Sequence, residues 1–138
     1  FTEEDGLYSY TDLNNSPFAD SGLQITVKPG DDGYAQFIKT DLQGTETADY
    51  FYFDFKENQV EKYYYVSAMG TGFYYYYDLT ADELVRLEDE DHGDSTQSAK
   101  DAGRWEGAAE STAAEISTLN QYVLEQYERS IEEAVERK

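Results

Sequence analysis

A chain of 138 residues fits one domain and is long enough to bury a core. It carries 30 acidic against 10 basic residues, a net charge of -20, with 14 acids and 4 bases in residues 1–79 and 16 and 6 in residues 80–138, so the acidity belongs to the whole surface. Such a field repels nucleic-acid phosphates and anionic membrane surfaces and draws basic partners or cations, which excludes direct nucleic-acid binding, while the lack of cysteine excludes disulfides, thiolate metal sites and thiol nucleophiles.

The chain opens on Phe1 without an initiator Met, as a processed or trimmed protein would, and a secreted or cell-surface location is the preferred expectation. No apolar run approaches the roughly 18 residues of a membrane-spanning helix, so membrane insertion is not expected. Residues 1–22 are polar and turn-rich and read as an irregular segment anchored by Leu7, Tyr8, Tyr10 and Phe18, with room for one short strand or helical turn.

Leu23 to Lys28 alternates apolar and polar residues, the period of a half-buried strand. Pro29-Gly30-Asp31-Asp32-Gly33 turns the chain, and Tyr34 to Thr40 returns as the second strand of a hairpin. After the polar loop Asp41 to Thr47 comes the densest aromatic stretch, nine tyrosines and four phenylalanines in the 28 positions from Tyr50 to Tyr77. Aromatic side chains at that density mark β-strands with rings on both faces. Along Asp49 to Phe55 the phenylalanines 51, 53 and 55 fall on one face, the expected core, and Tyr50, Tyr52 and Asp54 on the other. Lys56-Glu57-Asn58 and Gly70-Thr71-Gly72 then reverse the chain into the strands Val60 to Ser67 and Phe73 to Leu79, giving an antiparallel meander. Residues 80–88 suit either a capped helix or a turn followed by a strand from Leu84 to Glu88, and the strand is favoured because the meander supplies an edge for it.

From Ser95 onward the pattern is helical. Ala99, Ala102 and Trp105 share one face, Gly103 and Gly107 weaken the segment, and Thr112 with Glu115 has the spacing of a capping box. Ile116, Leu119, Val123, Tyr127, Ile131 and Ala134 then recur at three- and four-residue steps and predict an amphipathic helix of about 25 residues. Such a helix can cross the sheet and project past it, and a homo-oligomer through that projection is one expectation. The fold class is therefore α+β over a single domain 1–138: a β-meander of five to six strands in 23–88, then C-terminal helices in 95–138, the longest packed on the phenylalanine face with Trp105 in the seam.

No recognisable catalytic motif is present, and neither an enzyme nor a cofactor is expected. His92, the single histidine, stands in the acidic loop Glu88 to Asp94 as a surface residue without an evident nucleophile to serve. That loop departs from the calcium-binding EF-hand template, with Gly93 fifth instead of sixth after Asp89 and Lys100 where a bidentate Glu is required, so no metal site is assigned. Asp54, Glu61 and Asp78 lie on aromatic strands, where a carboxylate pair for hydrolysis would be sought, but they read as solvent-facing residues.

The tyrosine face is what remains. Tyr50, Tyr52, Tyr63, Tyr65, Tyr74 and Tyr76 are expected in neighbouring columns across three strands, with Tyr64, Tyr75 and Tyr77 turned inward. Tyrosine supplies large contact area at low entropic cost, so the expected function is a binding domain whose six outer tyrosines contact a protein or a glycan. An acidic decoy for a basic groove on a partner protein is the alternative, and a carboxylate-based hydrolase the third reading.

Overall fold

The computed structural model describes residues 2–136; Phe1, Arg137 and Lys138, which end the single domain expected over 1–138, lie outside them. The described chain is α+β, an eight-stranded antiparallel sheet followed by three helices. In chain order the strands are β1 (Thr2–Glu4), β2 (Leu7–Asp12), β3 (Gly22–Lys28), β4 (Tyr34–Thr40), β5 (Glu46–Asp54), β6 (Gln59–Val66), β7 (Thr71–Asp78) and β8 (Glu83–Asp89). Each pairs only with its neighbours in sequence. The helices are α1 (Thr96–Asp101), α2 (Trp105–Tyr127) and α3 (Ile131–Glu136).

The count of five to six strands is thus corrected to eight, and most of the difference lies in the segment expected to be irregular. Asp5 and Gly6 both have positive φ, 53° and 82°, which is the left-handed pair a two-residue hairpin turn demands, and Glu4 pairs with Leu7 across it. β2 then pairs along β3 from Tyr8 opposite Val27 to Asp12 opposite Leu23. At the other end, residues 83–89 form the favoured strand, and the backbone N–H of Ser95 and the Thr96 hydroxyl bond to Leu87 and cover its outer edge.

Side-chain alternation divides the sheet into two faces. Leu23, Ile25, Ala35, Phe37, Phe51, Phe53, Val60, Tyr77 and Leu84 are buried on one face, together with Ile116, Leu119 and Val123 of α2 and Ile131 and Val135 of α3. Each fully buried side chain of this size contributes about 1.5–3 kcal/mol. Trp105 opens α2 half-buried against this core, with the Lys100 ammonium 5.0 Å from its ring centre. Lys39 and Lys62 also point to this face, where Lys62 is almost buried, pairs with Glu115 of α2, and lies 4.8 Å from the Tyr75 ring centre.

The long helix differs from its expectation at both ends. It begins at Trp105, tolerating Gly107, so Thr112 and Glu115 fall inside it; Thr112 is buried with its hydroxyl unpaired among the described residues, and no capping box forms there. It ends at Tyr127, where Glu128 takes a left-handed conformation (φ 58°) and donates its N–H to the Leu124 carbonyl. The capping box that does form is Ser130 with Glu133: the Glu133 N–H donates to the Ser130 hydroxyl at 3.0 Å and the Ser130 N–H to the Glu133 carboxylate at 2.9 Å. Instead of projecting, the chain therefore turns, and α3 lies against the β3–β4 hairpin, where the Gly30 N–H bonds the Val135 carbonyl at 2.9 Å. Gly33 must lack a side chain there, because a Cβ would collide with Val135.

Candidate functional site

The register places the six tyrosines on the sheet face away from α2. Tyr50 pairs with Tyr63 and Tyr63 with Tyr74 in one row across β5, β6 and β7; Tyr52, Glu61, Tyr76 and Arg86 make the next; Tyr65 stands opposite Gly72. Tyr34 of β4 adds a seventh ring, stacked on Tyr52 at 5.0 Å. Tyr64, Tyr75 and Tyr77 are on the helix side, though Tyr64, toward the end of its strand, keeps 43% of its surface exposed.

The rings are not equally available. Tyr63 is only 9% exposed: it lies between Tyr50 and Tyr74, directly over Gly72, and its hydroxyl donates to the Glu90 carboxylate. Glycine at 72 leaves the space that this ring fills. Tyr74 is stacked by His92 with ring centres 4.5 Å apart. His92, at a positive φ of 62°, also places Nδ1 3.0 Å from Glu88, so the loop after β8 folds over the end of the tyrosine row. Tyr65 remains 41% exposed, while Tyr50, Tyr52 and Tyr76 are half-buried.

Carboxylates thread between the rings. The Tyr50 hydroxyl donates to Glu61 at 2.5 Å, and Tyr76 bonds both Glu61 and Glu88. Burial and then Glu61 push the Tyr50 phenol far above its ordinary value; burial with Glu61 and Glu88 does the same for Tyr76. Tyr63 is pushed up to about 12 by its hydrogen bond to Glu90 first and by burial second. Burial works against ionisation of Glu88, but the bonds from His92, Arg86 and Tyr76 outweigh it and hold this carboxyl below the usual range. Few cations share this face: Lys39 and Lys62 face α2, Lys28 stands at its margin opposite Tyr34, and Arg86 lies among the tyrosines, tied to Glu88 at 2.5 Å and Asp94 at 3.1 Å.

The other candidate carboxylates serve turns. Asp54 accepts the N–H groups of Lys56 and Glu57, and Asp78 those of Thr80 and Ala81. In the acidic loop Asp89 accepts from Asp91 and Gly93, and no group of three or more metal-ligating side chains converges among the described residues. None of their helices is long and apolar enough to cross a membrane.

On the helix side an apolar cavity of about 560 Å³ opens between the sheet and the α2–α3 corner. The buried core residues Ile25, Ala35, Phe37 and Ile131 lie behind it, and the surface it offers comes from Tyr8, Val27, Pro29, Tyr127, Arg129 and Ala134. Nothing in the sequence reading pointed to this cavity, because it depends on the turn at Glu128. Set beside known proteins, the chain matches no family model, no curated protein and no solved structure, so the functional reading rests on this geometry.

Proposed function

We propose that the chain is a non-enzymatic binding domain, exported or at a cell surface, whose tyrosine face receives a cationic segment of a partner protein. The observation that carries this reading is the mixture on the sheet face that no helix covers: ring surface interleaved with Glu61, Glu88 and Glu90, while Lys39 and Lys62 point the other way and Lys28 stands only at its margin opposite Tyr34. An electron-rich ring beside a carboxylate attracts an ammonium or guanidinium through both its π face and the neighbouring charge. The hydroxyls of Tyr50, Tyr63 and Tyr76 are already bonded within the face, which leaves ring surface more than phenol groups to offer and favours a basic protein over a glycan. Tyr52, Tyr65 and Tyr76 are the contacting rings in this reading; Tyr63 and Tyr74 are its support. The net charge of -20 supports the choice of a basic partner.

Titration with an arginine-rich peptide, followed by calorimetry and amide NMR, tests the proposal. Replacing Tyr52 or Tyr65 by Ala should weaken binding by about threefold to tenfold each; at the more exposed Tyr65 the melting temperature should change little, whereas Tyr52→Ala also gives up its stack on Tyr34 and should lower it. An acidic decoy would show steep loss of binding with salt and indifference to both substitutions, and that result would overturn the tyrosine-face reading.

A further inference from the structure

The cavity beneath the opposite sheet face is walled by elements held in place by backbone bonds. Glu128 closes α2 in the left-handed conformation, Ser130 and Glu133 cap α3, and the Gly30 N–H ties Val135 to the β3–β4 hairpin. These ties fix α3 over the sheet, with Ile131 and Val135 packed into the core beside Ile25 and Phe37, and the cavity opens next to them toward Tyr8, Val27, Pro29, Tyr127 and Ala134. The cavity is open to solvent, and its volume of about 560 Å³ falls in the range of roughly 300–1,000 Å³ typical of small-molecule sites.

Among the lining residues Arg129 is the only charged one. The nearby Glu133 carboxylate is held below its usual range by its hydrogen bonds with Ser130 first and to a smaller degree by the Arg129 charge, while among the described residues no carboxylate lies within 4 Å of Arg129. A guanidinium beside an apolar chamber, in a protein otherwise so acidic, is complementary to one anionic head on an apolar body. We propose that the cavity binds a small amphiphile with a single carboxylate, its hydrocarbon against Tyr8, Val27, Tyr127 and Ala134 and its head on Arg129. The site is on the other side of the sheet from the tyrosine face and does not depend on it.

Dodecanoate and dodecanol, both below their aggregation concentrations, are the probes. Dodecanoate should bind the wild-type protein tighter than dodecanol and raise its melting temperature. In Arg129→Gln the advantage of the carboxylate, about tenfold, should vanish while dodecanol binding stays the same. Ala134→Phe should fill the chamber and weaken both ligands. Should that variant not fold, methyl NMR of the wild type carries the test alone, with dodecanoate expected to shift the Val27 and Ala134 methyl signals. Equal affinity of the two probes in wild type and Arg129→Gln, or shifts confined to other surfaces, would overturn the assignment.

Discussion

The Tyr122 hydroxyl of α2 donates to the buried carboxylate of Asp12 at the end of β2, at 2.5 Å and across 110 positions of sequence. Asp12 also accepts the N–H groups of Asn14 and Asn15, so one carboxylate closes the loop after β2 and fastens it to the helix. Tyr122→Phe removes one of these bonds from a nearly inaccessible charge and should cost about 1–3 kcal/mol in urea unfolding. Phe is close in shape, so the loss reports the bond and not a cavity. An unchanged midpoint would show that the bond contributes nothing to stability.

A sharp alkaline limit to stability follows from the tyrosines. Burial and then Asp12 raise Tyr122, burial and then Asp82 push Tyr77 up to about 12, and the hydrogen bond to Glu90 takes Tyr63 to about the same value. A phenol whose pKa is raised by folding adds stability that is complete below its unfolded value, near 10, and is lost as pH climbs toward the folded value. Between about pH 10 and 12 the fold should therefore weaken steadily, with phenolate absorbance lagging behind that of the unfolded chain. Gly72→Ala displaces the Tyr63 ring from its seat and should allow this phenol to ionise at lower pH. Simple phenolate titration of all rings near pH 10, with the protein still folded, would refute the raised values.

The Lys62–Glu115 pair predicts an asymmetry. Lys62 is 7% exposed, and its partner carboxylate also lies 4.0 Å from Lys39. Glu115→Gln leaves a cation against Phe51 and Tyr75 without its counter-charge and should cost roughly 1–3 kcal/mol, less than a fully buried pair because Glu115 is partly solvated. The double variant Lys62→Met with Glu115→Leu should return to within about 1 kcal/mol of wild type. Chemical denaturation of the three proteins measures both, and a double variant no better than the single one would contradict the account.

Much of this fold is legible in its residues because the sheet alternates so regularly. Phenylalanines 51 and 53 face α2 and Tyr50 and Tyr52 face away, as a period of two requires. The Asp5-Gly6 hairpin carried a turn signal of its own, but the polar residues around it conceal two strands whose apolar positions are few. The end of α2 is harder to foresee. Glu128 adopts a conformation usually taken by Gly, and the stripe of Val123, Tyr127 and Ile131 runs through the break as if none were there. Ser130 and Glu133 were the available clue. In the tyrosine face, the row itself can be read from alternation. What cannot be read is that Tyr63 is sealed and Tyr74 covered, since this depends on Glu90 and His92 returning over the sheet from a loop 27 and 18 positions away in the chain.

The strictly sequential strand order also bears on how the protein is made. As the chain leaves the ribosome, each hairpin can zip onto the last without waiting for distant sequence, so the sheet is completed first. Its phenylalanine side must then stand bare until residues 105–136 emerge to cover it. During that interval the fourteen acids against four bases of residues 1–79 would hold nascent copies apart by mutual repulsion, a use for negative charge spread evenly along the chain.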